Sequence, residues 1–433
     1  MYPKQLLLSF AILLFFVSGC SAQGWEKLVE DFVYEYKRLD ISPLRIAYLD
    51  NLRGVRGEES QRAQSKLFAD LRLELQQYDR NLITSEQQLE YDLLSYYLEL
   101  NEVRLAIEQD WWRDRPKPLP EGGLATVPGG KAWYAFYLQR WLDISVNPDS
   151  LFAFGLQESE RVAGEMAIIR AKSGMDSLDF QAHLNSERFL VELPSEVEAA
   201  IADYATFVEP QIAKYFPRFD EIPPVRVRQG GDGRLAQTPA FYRNSTFFYN
   251  LFDDPFNLRQ VAFLYLHEAN PGHHYETFHR SLQGGTPLLR LFNNPGYGEG
   301  WAAYIEDFAL EAGYYRDIYD EYGKWEWDMI RSVRVVLDVG LNYYGWSDER
   351  ALRFWQIYLP GQDHIAAREI ARMKRWPAQV ISYKYGARLL DEWKNRWVSE
   401  KRGSLLAFHE AVLQHGQVPF SILESIIFNT DKS

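Results

Sequence analysis

The chain has 433 residues, a formal net charge of −13 and a hydrophobic content of 46%. This hydrophobic content is too high for a disordered chain. The negative charge argues against nucleic acid as a partner, because phosphate groups are bound by clustered lysine and arginine.

The first twenty residues predict an export signal that ends at a site of lipid attachment. Lys4 precedes an apolar run from Leu6 to Val17, which is shorter than the roughly 20 residues needed to span a bilayer. Residues 17–20 resemble the lipobox of bacterial lipoproteins, in which Cys20 becomes the lipidated N-terminus. Cys20 is the only cysteine, so an internal disulfide is excluded. The alternative is an ordinary signal peptide with an incidental cysteine.

This interpretation divides the chain into a signal peptide over residues 1–19 and a mature protein over residues 20–433. Ser21 follows the cysteine, and by resemblance to Gram-negative sorting patterns it favours the outer membrane. We therefore expect an exported protein that faces the periplasm and touches the membrane only through lipid on Cys20. No second apolar run in the sequence is long enough to cross a membrane.

Helical patterns dominate the mature sequence. A capping box at Thr84 opens a segment with apolar residues at helical spacing as far as Ile107. Asn147-Pro148 predicts the cap and first turn of another helix. Residues 115–131 and 223–239 are rich in proline and glycine and are predicted loops.

We expect a mostly α fold with a zincin-like helical architecture and a deep cleft between helical halves. One large domain would cover residues 20–433, with N-terminal helices in residues 20–115 and a metal-site region in residues 116–433. Residues 246–249 form a candidate strand, so at most a small sheet is expected beside the active site.

Four of the eight histidines fall between residues 267 and 279. Asp254-Pro255 predicts the start of an apolar helix that leads to His267-Glu268. In a His-Glu-x-x-His zinc helix, histidines four residues apart share a face, and the glutamate activates water. Here Pro271 stands four residues after His267, so the usual spacing fails. The alternative is a polar helix whose histidines are satisfied in the core.

Pro271 and Gly272 indicate how a later histidine can take the missing ligand position. In an undistorted helix His273 would lie about 120° round from His267, and His274 would lie about 10.5 Å further along the axis. Proline lacks an N–H donor, and glycine adopts backbone angles that other residues avoid. A break at this pair can return His273 to the site, with His274 as the alternative ligand.

A catalytic zinc ion takes three protein ligands and leaves one position open for water. Glu299 and Glu306 are seven residues apart on one predicted helix, and therefore lie on similar faces. We expect Glu299 to be the third ligand and Glu306 to orient a ligating histidine. The alternative for both is a solvated position on the helix surface.

The sequence resembles the bacterial family known as domain of unknown function 885, over roughly residues 85 to 415. The family hallmark His-Glu-x-x-Pro-Gly-His-His stands at residues 267–274. Asn342 is a departure, because family members usually carry histidine there. Three further motifs match: Gly298-Glu299-Gly300-Trp301-Ala302-x-Tyr304-x-Glu306, Arg331-x-x-Arg334 leading into Asp338-x-Gly340, and Pro377-x-Gln379-x-x-x-Tyr383-x-x-Gly386.

That family is similar in turn to helical zincins such as the carboxypeptidase Taq and dipeptidyl peptidase III groups. In both groups a Gly-His pair closes the zinc motif and a downstream glutamate completes the site. The resemblance therefore implies metallopeptidase activity on a zincin-like fold. It also favours His273 over His274 as the second histidine ligand.

These residues predict a zinc-dependent hydrolase that acts on a peptide or related amide. Glu268 is expected to be the general base, and Tyr383, on a predicted helix, to stabilise the developing oxyanion. Arg331 and Arg334 are expected to bind a substrate carboxylate. The alternatives are a tyrosine that only packs in the core and arginines that are only solvated.

Two other functional classes stay open. A non-catalytic lipoprotein on a zincin fold would bind peptides or cell-wall stems without cleaving them, although the intact His267-Glu268 pair argues against it. An esterase or amidase would use the same metal, and nothing in the sequence separates ester from peptide substrates. A serine nucleophile is unsupported, because no Gly-x-Ser-x-Gly elbow occurs.

Overall fold

A computed structural model describes residues 22–41, 45–143, 146–231, 238–251, 255–282, 285–292 and 294–429. The predicted signal peptide over residues 1–19, the lipidation candidate Cys20 and the predicted helix cap Asp254 lie outside these residues.

Helices form most of the described chain. They are α1 (Ala22–Arg38), α2 (Tyr48–Gly54), α3 (Glu58–Leu75), α4 (Ser85–Asp114), α5 (Gly130–Leu142), α6 (Pro148–Ser173), α7 (Ser177–Leu184), α8 (Pro194–Ile212), α9 (Val261–Glu268), α10 (His273–Leu282), α11 (Pro287–Leu291), α12 (Pro295–Ala312), α13 (Ile318–Asn342), α14 (Asp348–Tyr358), α15 (Asp363–Arg375), α16 (Ile381–Ser399), α17 (Leu405–Gln414) and α18 (Phe420–Asn429).

The predicted helix starts have the expected capping contacts. The Thr84 hydroxyl accepts from the backbone N–H of Gln87, and the Gln87 side chain accepts from the backbone N–H of Thr84, so a capping box opens α4. The Asn147 side chain caps α6, with Pro148 in its first turn. The expectation of a mostly α fold is confirmed.

Short strands form two small sheets within the described ranges. They are β1 (Leu190–Val191), β2 (Arg226–Gln229), β3 (Ala240–Arg243), β4 (Thr246–Tyr249) and β5 (Phe256–Asn257). β4 pairs in parallel with β2 and antiparallel with β3, and β1 pairs antiparallel with β5. Asn244 and Ser245 both have positive φ angles, which suit the tight hairpin between β3 and β4. The expected small sheet is present.

Two sequence-based expectations are wrong. The predicted loop over residues 223–239 contains β2, and no helix begins at Pro255, because residues 256–257 form β5. α9 begins only at Val261, after a 3₁₀ turn. In both places pairing with a distant strand overrides the local pattern.

α13 is the central helix of the molecule. From Met329 to Asn342 every residue is buried, as expected for a helix that is enclosed on all sides. It packs along α6 and also contacts α9, α15 and α16. These last three helices carry predicted or observed site residues, so α13 fixes their relative positions.

α12 and α16 approach each other closely at two glycines. A Cβ atom added to Gly300 would lie 2.9 Å from the Cα of Gly386, and one added to Gly386 would lie 2.7 Å from the Cα of Gly300. Both distances are shorter than ordinary van der Waals contact, so only glycine permits this approach. The contact brings Glu299 on α12 next to Tyr383 on α16.

Candidate metal centre

The three residues predicted as metal ligands lie together. Nε2 of His273 is 3.4 Å from Oε2 of Glu299, and Nε2 of His267 is 3.7 Å from the same oxygen. One donor atom from each residue lies within 4.8 Å of the other two. Donor atoms around a tetrahedral zinc ion are roughly 3.3–3.5 Å apart, given bonds of about 2.0–2.1 Å. The group therefore fits such an ion with small side-chain adjustments.

The break between α9 and α10 brings His273 to His267. α9 ends at Glu268, and α10 begins at His273. A Cβ atom added to Gly272 would lie 2.0 Å from the carbonyl oxygen of His267, so the chain passes the end of α9 at a distance that only glycine permits. The rings of His267 and His273 consequently meet edge to face, with centroids 4.8 Å apart.

His274 makes a different set of contacts. Its Nδ1 lies 3.1 Å from the hydroxyl of Tyr242, and its Nε2 lies 2.7 Å from the carbonyl oxygen of Pro223. Both ring nitrogens are thus engaged away from Glu299. Of the two neighbouring histidines, His273 is the one that lies beside Glu299.

Glu306 lies behind His267. Its Oε1 accepts a hydrogen bond from His267 Nδ1 at 2.7 Å, and its Oε2 accepts one from Arg331. Glu306 is fully buried, so the alternative of a solvated glutamate is wrong. A carboxylate on one ring nitrogen fixes the orientation of the imidazole and directs the other nitrogen at a metal, which is the arrangement predicted for Glu306.

The charges in the group depend on one another. Burial disfavours the charged form of His267, but the neighbouring carboxylates of Glu299 and Glu306 outweigh this effect and raise its pKa to about 9. Burial also opposes ionisation of Glu299, yet the two histidines hold its pKa well below the usual range. A metal ion would have to displace the proton on His267, so binding is expected to weaken as the pH falls.

Glu268 borders a cavity in front of the group. The cavity has a volume of about 960 Å³ and is lined by the three ligand candidates and by parts of β3, α15 and α16. Burial raises the pKa of Glu268, which moves the carboxyl towards the range suited to proton transfer near neutral pH. The group that could hold a cation, the Glu268 carboxylate as a candidate general base, and a cavity with space for a substrate therefore lie together.

Tyr383 connects the group to α15. Its hydroxyl donates to Oε1 of Glu299 at 2.9 Å and accepts from Nε2 of Gln379 at 3.3 Å. Gln379 Oε1 accepts in turn from Arg372 at 2.7 Å. Burial and the negative charge of Glu299 raise the pKa of Tyr383 to about 12, so its hydroxyl keeps the proton at neutral pH.

The two arginines predicted to bind a carboxylate have protein partners. Arg331 pairs with Glu306, and Arg334 donates to Oε1 of Glu369 at 2.7 Å. Both arginines are buried, so the alternative of solvated arginines is wrong. The sequence analysis did not identify Glu369 and Arg372 on α15. The helical spacing of Ala366, Ile370 and Met373 could have placed Glu369 on the buried face.

The described residues define a mostly helical protein with a His-His-Glu group that could hold a metal ion beside a cavity. The sequence matches the family described as "Bacterial protein of unknown function (DUF885)" over residues 106–427. This match spans well over half of the chain, and the protein therefore belongs to that family. A comparison with curated proteins finds no match.

Two solved structures have a similar fold. A "putative lipoprotein" from Colwellia psychrerythraea is 23% identical, with a TM-score of 0.64, and the match covers 94% of this chain and 74% of that one. A "putative lipoprotein of unknown function" from Shewanella oneidensis is 19% identical, with a TM-score of 0.58, and the match covers 92% of this chain and 76% of that one. Across the described part of the chain, no helix has both the length and the apolar character needed to cross a membrane.

Proposed function

We propose that this protein is a zinc-dependent hydrolase that cleaves peptides or related amides. The observation that carries the proposal is the convergence of His267, His273 and Glu299 within 4.8 Å, with Glu268 on the wall of the adjoining cavity. Two imidazole nitrogens and one carboxylate oxygen are a common donor set for catalytic zinc. A His-Glu pair on one helix with a ligand glutamate on a later helix also supports a zincin-like architecture.

A bound zinc ion would supply water with a pKa of about 7 and a positive charge that polarises the scissile carbonyl. Glu268 accepts the water proton and passes it to the leaving nitrogen, a role that its raised pKa suits. Glu306 holds His267 in one orientation through Nδ1. With Glu299 engaged by the metal, the Tyr383 hydroxyl would turn from Glu299 to the substrate carbonyl oxygen and donate a hydrogen bond as negative charge develops there.

Metal content and hydrolysis together test this proposal. Elemental analysis of the mature chain without its lipid is expected to give about one zinc ion per molecule for the wild type and for Glu268→Gln, and little for His267→Ala. The wild type is expected to cleave members of a mixed peptide pool. Glu268→Gln keeps the ligands but should lose at least about 100-fold in rate, because the proton acceptor is gone.

The outcomes separate the competing functions. Zinc binding without hydrolysis of any peptide would favour a binding lipoprotein on the same fold. Hydrolysis of esters but not of peptides would support the metal site and show that the substrates are esters. A wild-type chain that takes up no zinc when zinc is offered would remove the proposal.

We also propose that the protein is exported and anchored to the outer membrane through lipid on Cys20, facing the periplasm. The lipobox-like residues 17–20 support this location, as does the word lipoprotein in the descriptions of both structural neighbours. Labelled palmitate should be incorporated into the wild type, which should fractionate with membranes. Cys20→Ser should neither incorporate palmitate nor fractionate with membranes. A Cys20→Ser variant that still fractionates with membranes would contradict the proposed lipid anchor.

A further inference from the structure

A second cavity adjoins the one that contains the ligand group. It has a volume of about 800 Å³. Arg368, Glu369 and Arg372 on α15 line both cavities, whereas Arg334 on α13 lines the second. These residues therefore stand where a ligand extending from the metal site into the second cavity would have to pass.

The polar atoms at this junction are incompletely paired. Arg334 donates to Glu369 Oε1, and Arg372 donates to Gln379 Oε1, both at 2.7 Å. The remaining contact, between Arg372 Nη1 and Glu369 Oε2, is 3.9 Å long, which is too long for a hydrogen bond.

Ten buried side-chain nitrogen or oxygen atoms in the described ranges have no hydrogen-bond partner, and three of them belong to Arg334, Glu369 and Arg372. They are Nε of Arg334, Oε2 of Glu369 and Nε of Arg372. Buried polar groups are normally satisfied, and a concentration of unsatisfied ones needs a specific reason. A polar ligand would provide such a reason if its binding completed the hydrogen bonds of the two guanidinium groups and of Glu369.

The charge at the junction favours an anion. Two guanidinium groups face a single carboxylate, that of Glu369, which leaves one positive charge uncompensated within the trio. The whole chain carries a net charge of −13, so this local excess is opposite in sign to the rest of the protein. A local excess of positive charge attracts ligands that carry negative charge.

The junction is close to the ligand group. Glu299, Tyr383, Gln379 and Arg372 form a continuous chain of hydrogen bonds of 2.9, 3.3 and 2.7 Å. An extended peptide advances about 3.3–3.6 Å per residue. A chain of three hydrogen bonds therefore corresponds to a few residues, and a carboxylate held beside Arg372 would place a peptide bond near the C-terminus of the same molecule beside Glu299. The second cavity would receive the C-terminal side chain.

We propose that Arg372 and Arg334 bind the C-terminal carboxylate of a peptide, and that the protein is an exopeptidase acting from the C-terminus. Glu369 is a positioning residue that accepts a hydrogen bond from Arg334 and lies opposite the Arg372 guanidinium group. The reaction itself rests on the function proposed above, whereas carboxylate binding can be measured without it.

Binding of two matched probes tests this inference. N-acetyl-trialanine and its C-terminal amide are titrated into the zinc-loaded Glu268→Gln variant and followed by calorimetry. The free acid should bind at least about tenfold more tightly, because charge-assisted bidentate contacts are lost with the amide. Equal affinities, or no binding of either probe at millimolar concentration, would overturn the inference.

Arginine variants test which side chains cause the preference for the free acid. Arg372→Ala in the Glu268→Gln background should abolish the preference for the free acid, and Arg372→Lys should restore part of it. The control is Arg388→Ala, an arginine on α16 that pairs with Glu392, lines neither cavity and should leave the preference intact. Arg334→Ala provides a second test should Arg372→Ala fold poorly. A preference that survives both Arg372→Ala and Arg334→Ala would overturn the assignment.

Turnover by the wild type distinguishes this inference from the hydrolase proposal. A wild type that cleaves neither probe, but whose Glu268→Gln variant prefers the free acid, would refute peptide hydrolysis and support the carboxylate site. A wild type that cleaves the amide as fast as the free acid would support hydrolysis and overturn the carboxylate site.

Discussion

Replacing His273 with alanine should remove zinc binding, whereas replacing its neighbour His274 should not. His273 Nε2 lies 3.4 Å from Glu299 Oε2, and no further His, Cys, Asp or Glu within the described ranges belongs to the same donor group. His274 can replace it only by giving up its contacts with Tyr242 and Pro223, which are worth about 0.5–1.5 kcal/mol each. The lost ligand therefore has no ready substitute.

The expected loss of affinity follows from the role of the ligand. Changing a group that only supports a ligating histidine weakens metal binding about 10–100-fold. If His273 binds the metal directly, as proposed, its loss should therefore cost at least about 100-fold in affinity, or ~2.7 kcal/mol. His274→Ala should stay within about threefold of the wild type, because its ring contacts lie away from the donor group.

A competition titration against a chromogenic zinc chelator measures both variants at one pH. Circular dichroism spectra that match the wild type would show that each variant is folded. The reasoning would be refuted by a folded His273→Ala variant with wild-type zinc affinity, and more strongly if His274→Ala lost zinc instead.

Three further variants probe the surroundings of the site. Glu306→Gln should weaken zinc binding about 10–100-fold in the same titration, because His267 loses its carboxylate partner; unchanged affinity would contradict that role. Gly272→Ala should lose zinc while remaining helical by circular dichroism, since its Cβ would lie 2.0 Å from the His267 carbonyl oxygen; normal zinc content would show that the close approach is unnecessary. Burial raises the pKa of Asp338 from 3.8 to about 7, so the folded state holds a proton that the unfolded state releases. As the pH rises from roughly 4 to 7, the free energy of unfolding of the wild type should therefore fall by up to ~1.4 kcal/mol per pH unit. Urea unfolding should show a weaker decline for Asp338→Asn, and parallel declines would exclude Asp338 as the cause.

Much of the His-His-Glu group could be predicted because its signals are local. A His-Glu pair at the end of an apolar run, a Pro-Gly break and two glutamates seven residues apart each describe a single helix or helix end. The break at Pro271-Gly272 was predicted to bring a later histidine back, and in the structure His273 lies against His267. Glu306 was expected to orient a histidine, and it contacts His267 Nδ1.

The lining of the second cavity could not be predicted in full, because it arises from packing between helices. Arg334 on α13 was singled out in the sequence, but Glu369 and Arg372 meet it only through the contact of α13 with α15. The apolar spacing within α15 indicates its buried face but not which helix covers that face. The same limitation explains the error at Pro255, where β5 forms only because β1 lies alongside it.

The two glycines between α12 and α16 restrict which substitutions the protein can accept. Neither contributes a functional group, yet Gly300 follows Glu299 directly, and Gly386 lies one helical turn beyond Tyr383. A side chain at either position would push the helices apart and separate the Glu299 carboxylate from the Tyr383 hydroxyl. In a library of variants scored separately for zinc binding and for solubility, substitutions at both glycines should therefore abolish zinc binding and leave the protein soluble. Tolerance to mutation at the site would then be limited by backbone spacing as much as by the ligands themselves.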